Sequence, residues 1–159
     1  MSENSFREKF SQNIVYKNSS KARSLAKYFL KRIIYETNPE GLDDTVVSLE
    51  HILPQNPNKW GLTKQEIKSY VNSIGNLTLI NQDMNGKMGN KKLEEKILVM
   101  KDSGIKMNRD FVENLEFGEI TTEYEDENQT QVNAPIWNKE TILQRTNELC
   151  ETALRIWTV

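Results

Sequence analysis

Two short runs of strand-forming residues in the middle of this 159-residue chain limit the folds that it can adopt. The first run, residues 46–52, stops before Pro54, and the second covers residues 77–80. Between them, Thr63 and Glu66 have the spacing of a capping box, in which two side chains cap the first turn of a helix. Because proline cannot continue a paired strand, the pattern predicts an antiparallel hairpin with a helical insertion.

Apolar residues at helical spacing lie on both sides of this hairpin. They are Phe6, Phe10 and Ile14, then Ala22, Leu25, Phe29 and Ile33, then Leu93, Ile97 and Met100, and finally Ile142, Leu149, Ala153 and Ile156. Ser19 and Asn138 stand where N-caps would satisfy the first free N–H groups of two of these helices. The sequence therefore predicts an α+β fold with mostly helical flanks.

The length predicts one domain covering residues 1–159, since domains most often have about 100–150 residues. We expect its core at residues 45–103 and helical flanks at residues 1–38 and 104–159. Residues 116–134 are acidic and polar and show no apolar period, so they predict a mobile loop.

The net charge of −2 argues against a protein that binds nucleic acid through its overall charge. The charges are segregated, however. Six basic residues and no acidic residue lie in the segment from Lys17 to Arg32, whereas the block from Glu119 to Glu127 contains no basic residue. A local basic face is therefore compatible with an acidic protein.

Histidine and cysteine each occur once, as His51 and Cys150. One cysteine excludes a disulfide within the chain, and the two residues together cannot form a four-ligand structural zinc site. The first ten residues lack the apolar run of a signal peptide, and the sequence has no apolar stretch long enough to span a membrane. We expect a cytoplasmic protein without membrane contact.

His51 and its surroundings offer the groups that phosphodiester hydrolysis needs. With an ordinary pKa of about 6.5, its imidazole is suited to accept a proton from water near neutral pH. Glu50 offers a carboxylate oxygen and Asn85 an amide oxygen, and such hard oxygen ligands suit Mg²⁺ or Mn²⁺. Asp83 is the alternative carboxylate ligand. Neighbouring strand residues point to opposite faces, so Glu50 and His51 would converge only at an irregular strand.

The motifs from Leu49 to Gln55 and from Ile74 to Leu79, followed by Asn85, Asn90 and Lys96, make the chain similar to a known family. It resembles the HNH nucleases, the ββα-metal or His-Me finger class. Within that class it resembles the C-terminal HNH domain of GmrSD-type modification-dependent restriction enzymes. The resemblance extends to the helix at residues 21–35 and to the closing pattern at residues 137–157. It therefore covers nearly the whole chain.

The resemblance implies a role for each matching residue. His51 would be the general base, Glu50 and Asn85 would hold the divalent metal, and Asn76 would tie the strands together and hold the His51 loop. Asn90, Lys92 and Lys96 would lie on the substrate side, where Lys92 is added because of its charge and proximity.

The implied function is a metal-dependent DNA endonuclease that nicks DNA, as the nuclease domain of a phage-defence or modification-dependent restriction system. Its partner would be an N-terminal ParB-like NTPase or recognition domain that is absent from this chain, which has no glycine-rich phosphate loop. One alternative is a non-catalytic module on the same fold that binds nucleic acid or protein. Another is an RNA-cleaving toxin.

Overall fold

The computed structural model describes residues 1–42, 46–123 and 129–157, with the side chains of all these residues except 85 and 120–131. Within these ranges the helices are α1 (Glu3–Asn13), α2 (Ser20–Thr37), α3 (Lys64–Ile67), α4 (Asn85–Met88), α5 (Leu93–Lys101), α6 (Lys106–Glu113) and α7 (Lys139–Ile156). The strands are β1 (Val47–His51), β2 (Leu77–Asn81), β3 (Phe117–Glu123) and β4 (Gln129–Pro135). Short 3₁₀ turns cover Asn58–Trp60, Ile74–Asn76 and Gln82–Met84. The predicted α+β class is confirmed.

The central hairpin consists of β1 and β2, which pair antiparallel from Val47 opposite Asn81 to His51 opposite Leu77. Helix α3 lies in the connection between the two strands, as the sequence predicted. Its capping box is formed, because Glu66 N–H donates to Thr63 Oγ1 and Thr63 N–H donates to the Glu66 carboxylate.

Helices α1, α2 and α7 pack on one side of the central hairpin around a shared apolar core. Ser19 caps α2 as predicted by accepting a hydrogen bond from Ala22 N–H. The buried residues of α2 are Ala26, Leu30, Ile33 and Ile34. The inner face is therefore rotated relative to the predicted stripe, and Leu25 is 38% exposed.

Helix α7 passes very close to the 3₁₀ turn that leads into β2. A Cβ atom at Gly75 would overlap the backbone carbonyl of Ile142 and the side chain of Thr146. Gly75 N–H donates to Thr146 Oγ1, and Arg145 Nη1 donates to the carbonyls of Gly75 and Leu77, at 2.7 and 2.8 Å. Helix α7 therefore fixes the position of the backbone at the start of β2.

The prediction of a loop at residues 116–134 is wrong for much of that stretch. Strands β3 and β4 pair antiparallel from Phe117 opposite Pro135 to Glu123 opposite Gln129, and residues 124–128 lie outside the described part. The acidic residues concealed a strand signal, since the segment also contains β-branched residues such as Thr121 and Thr130, which favour strands. We call β3 and β4 the outer hairpin.

The expected helical flanks are present on both sides of the central hairpin. In the described parts of the chain, no helix combines the length and the apolar character that crossing a membrane requires.

Candidate functional site

His51 is the last residue of β1, and its half-buried imidazole is oriented by an asparagine. His51 Nε2 and Asn72 Oδ1 are 3.0 Å apart, and Gln55 Nε2 donates to the same Asn72 oxygen at 3.2 Å. An amide oxygen can only accept hydrogen bonds, so Nε2 of the neutral imidazole carries the proton. This tautomer leaves Nδ1 unprotonated and able to accept a proton.

The surroundings of His51 favour its neutral form. The Tyr16 ring meets the imidazole edge to face, with 4.6 Å between the ring centroids. Burial lowers the pKa of His51, the hydrogen bond to Asn72 opposes this shift, and the positive charge of Lys96 adds to it. The imidazole is therefore unprotonated at neutral pH, as a general base must be.

Asn76 joins three parts of the chain through its buried side chain. Its Oδ1 accepts from Leu53 N–H at 2.8 Å and from Trp137 Nε1 at 3.0 Å, while its Nδ2 donates to the carbonyls of Leu53 and Val71, both at 2.8 Å. Asn76 O also accepts from Ile52 N–H. With its amide fully used, Asn76 fixes the loop after His51 and has no polar atom left for a substrate.

Lys96 approaches the same loop from α5. Its Nζ donates to the carbonyls of His51 and Ile52, at 2.9 and 2.8 Å, and its side chain is completely buried. Burial lowers the pKa of Lys96 to about 8, and the negative charge of Glu50 partly offsets that shift. In contrast to the expected place on the substrate side, Lys96 lies behind the His51 backbone and presents no charge at the surface.

Glu50 lies opposite Thr78, one step before His51 in a ladder that remains regular to its end. Alternation along the strand therefore directs Glu50 and His51 to opposite faces, and the irregularity that would bring them together is not found within β1. Burial raises the pKa of Glu50, while the charge of Lys96 lowers it. A cation beside this carboxylate would favour its ionised form.

The remaining predicted residues follow β2. Asn85 is the first residue of α4, which packs against β1, but its side chain lies outside the described residues. Asp83 is exposed in the preceding 3₁₀ turn. Asn90 and Lys92 are exposed just before α5, so both are accessible to a substrate, and neither contacts His51 in a described hydrogen bond.

The carboxylate of Glu50 and the amide of Asn85 are oxygen donors of the kind that hard cations bind. In the described part of the chain, no three His, Cys, Asp or Glu side chains form a group that could hold a metal ion. The proposed set is different, since it combines the Glu50 carboxylate with the amide oxygen of Asn85. Two such oxygens leave room for water and phosphate oxygens, as is usual for protein-bound Mg²⁺.

Comparison with known families identifies the family of the chain. The sequence profile of the C-terminal domain of the GmrSD restriction endonucleases matches residues 1–152. The chain belongs to this family. The prediction of a GmrSD-type C-terminal domain is therefore confirmed, and membership associates the chain with restriction endonucleases, which act on DNA. A search of curated proteins finds no significant match.

Two features of this GmrSD C-terminal domain could not be recognised from the sequence. Asn72 was not among the predicted site residues, since an asparagine in such a segment is common in ordinary turns. Its contact with His51 joins residues 21 positions apart, which no local pattern indicates. Lys96 was recognised by its motif, but its burial depends on the packing of α5 against the central hairpin.

Proposed function

We propose that this GmrSD C-terminal domain is an HNH-type, metal-dependent endonuclease that nicks DNA. The observation that carries the proposal is the hydrogen bond between His51 Nε2 and Asn72 Oδ1. It selects the imidazole tautomer in which Nδ1 is unprotonated, and burial lowers the pKa of His51, which favours the neutral ring. A neutral histidine held in a fixed orientation can act as the general base that activates water for phosphodiester hydrolysis.

In the proposed mechanism, Nδ1 of His51 takes a proton from a water molecule, which attacks the phosphorus atom of the scissile phosphate. Asn72 keeps the imidazole in place during this step and accepts from Nε2–H while the ring is positively charged. Lys96 and Asn76 hold the backbone at His51 and in the two residues after it, so that the base need not be reorganised for the reaction.

Glu50 and Asn85 would hold a divalent cation, Mg²⁺ or Mn²⁺, which when bound would stabilise negative charge on the phosphate and on the departing 3′-oxygen. The regular register of β1 makes Glu50 the assignment most in need of a separate test. Mn²⁺ binding, followed by electron paramagnetic resonance, should weaken in Glu50→Gln and not in Asp83→Asn. The reverse result would make Asp83 the carboxylate ligand.

We further propose that the chain acts as one domain within a modification-dependent restriction system. Recognition of modified DNA and nucleotide hydrolysis would then belong to an N-terminal ParB-like domain or subunit. Asn90 and Lys92, both exposed before α5, would contact the DNA backbone.

Nicking of supercoiled plasmid in Mg²⁺ or Mn²⁺ tests the proposed base. His51→Ala should lower the rate by about 10²- to 10⁴-fold, the range expected for loss of a general base. Thermal melting would show whether the variant is folded. Equal nicking by the wild type and a folded His51→Ala variant would exclude His51 as the base.

Two substitutions at Asn72 test the tautomer. Asn72→Leu removes the acceptor and should lower kcat about tenfold or more, whereas Asn72→Asp retains an acceptor and should keep much of the rate. A carboxylate at this position would stabilise the imidazolium, so the acid limb of the Asn72→Asp pH profile should move to higher pH. An unchanged profile in both variants would contradict the assigned role of Asn72.

The separation of Glu50 and His51 by the strand favours one second candidate, a module that binds nucleic acid without cleaving it. This module would bind a DNA duplex in the presence of either Mg²⁺ or Mn²⁺ and would leave the plasmid supercoiled. Binding without nicking by the wild type would therefore decide for this candidate.

A further inference from the structure

Three basic side chains are exposed where the chain enters α2. They are Lys17, Lys21 and Arg23. No Asp or Glu occurs from residue 9 to residue 35, so no acidic neighbour in this part of the sequence neutralises them. Because the whole chain carries a net charge of −2, a concentrated patch of this kind is the way in which it could attract a polyanion.

The start of the patch lies beside His51. Tyr16 contacts the His51 ring, and Tyr16 N–H donates to the Asn72 carbonyl at 2.9 Å. Val15 also forms a β-bridge with Ser73. Lys17 follows directly, so its Cα lies about 3.8 Å from that of Tyr16. The residue that directly follows the Tyr16 contact with His51 is therefore basic.

The direction of α2 keeps the patch close to the site. Lys27 Nζ donates to the carbonyl of Val47 at 2.6 Å, so the middle of α2 lies at the end of β1 that is farthest from His51. Arg23 is one helical turn before Lys27 on the same edge of the helix, in the direction of Tyr16. The edge of α2 thus runs alongside β1, and its first turns approach the His51 end.

We propose that residues 17–23 form a binding surface for the DNA backbone beside His51, with Lys17, Lys21 and Arg23 contacting phosphates next to the one that is cut. This inference rests on the proposed nuclease function. Charge complementarity identifies the occupant, since duplex DNA carries one negative charge for about every 1.7 Å of its axis. Lys92, exposed on the α5 side of the hairpin, would bind the backbone on the other side of the site.

The test is DNA binding by the full chain with His51→Ala in the background, which prevents cleavage. The probe is a fluorescent duplex of about one to two helical turns, with its dissociation constant measured by anisotropy over a series of salt concentrations. Lys17→Ala/Lys21→Ala/Arg23→Ala should weaken binding at least about tenfold. It should also reduce the salt slope by about 2 to 3, since each phosphate contact contributes about 0.9.

The matched control is Lys9→Ala/Lys101→Ala/Lys139→Ala, which removes the same charge from exposed positions on α1, α5 and α7. This triple variant should change the dissociation constant less than about threefold. An equal loss in both triple variants would show a general charge effect, and no loss in the first would exclude the patch as a contact. Either result overturns the inference. The swap Lys17→Arg/Lys21→Arg/Arg23→Lys should retain binding.

These outcomes remain separate from those of the proposed function. If the wild type does not nick and the first triple variant still loses binding selectively, the surface is supported and the nuclease proposal fails. If the wild type nicks and the first triple variant binds normally, the nuclease proposal stands and the surface is wrong.

Discussion

The part of the chain that the structure describes contains two antiparallel hairpins, and they differ in the contacts that hold them in place. The central hairpin has five residue pairs, and Leu77, Thr78, Leu79 and Ile80 of β2 are buried. The outer hairpin has seven pairs, yet Phe117 at its start is 55% exposed. Its base is closed by the hydrogen bond from Ile136 N–H to the Glu116 carbonyl at 2.8 Å.

The central hairpin, although it has fewer residue pairs, is contacted by polar side chains from three helices. Lys96 reaches it from α5, Arg145 from α7 and Asn108 from α6, where Asn108 Nδ2 donates to the Leu79 carbonyl at 2.8 Å. Each of these hydrogen bonds forms only when the hairpin and the helix hold fixed positions relative to each other. Strand pairing alone does not fix where a hairpin lies in the fold. Tertiary hydrogen bonds, more than the number of strand pairs, therefore determine which hairpin can support a precise site.

A matched pair of asparagines, one in each hairpin region, should show the greatest contrast in stability. Asn76→Ala should lower the free energy of unfolding by about 4 kcal/mol, because Leu53 and Val71 would keep buried polar groups without a partner and Trp137 a partly buried one. Asn133→Ala in the outer hairpin, at an exposed position, should cost less than about 0.5 kcal/mol. Urea denaturation measures both. Similar losses would remove the distinction between the hairpins.

A matched pair of glycines should give the next largest effect. Gly75→Ala forces a methyl group into the α7 backbone and should cost about 3 kcal/mol, since neither backbone can move freely. At Gly118 in β3 the added Cβ meets the end of the Ile136 side chain, which can rotate away, so Gly118→Ala should cost about 1 kcal/mol or less. The ratio of the two losses, from denaturation midpoints, is the test; a larger loss at Gly118 would contradict it.

Lys96 gives the central hairpin a pH-dependent stability. Its pKa is about 8 in the fold and 10.5 when solvated, so between these values the unfolded chain binds more protons. The free energy of unfolding should therefore rise with pH, by about 2 kcal/mol from pH 8 to pH 10, and the contribution is lost as the pH falls through 8. The rise should disappear in Lys96→Met and persist in Lys101→Met, an exposed control on the same helix.

Local patterns predicted the elements whose signals are short in range. The capping box at Thr63, the N-caps at Ser19 and Asn138 and the central hairpin were all predicted correctly. The family was also predicted correctly. These features depend on residues a few positions apart, or on a motif with fixed spacing.

The features that were missed depend on contacts distant in sequence. The lack of a side chain at Gly75 allows the close approach of α7, which lies about 70 positions away, and no local pattern indicates this contact. The regular register of β1 could not be deduced from Pro54, which ends the strand without bending it at His51. The position of Asn72, the burial of Lys96 and the pairing of β3 with β4 are likewise set by tertiary packing.

The smallest effect is expected from removing most of the outer hairpin. Gly118 and Ala134 are paired near its base, so residues 119–133 can be replaced by an Asn-Gly turn, which suits a two-residue hairpin loop. The bond between Glu116 and Ile136 would remain, and with it the position of Trp137, which donates to Asn76. Nicking should change less than about twofold if the site depends on the central hairpin alone. A large loss of nicking with unchanged thermal stability would instead show that the outer hairpin contacts DNA. Both hairpins would then contribute to function, although buried hydrogen bonds from other elements fix the central one.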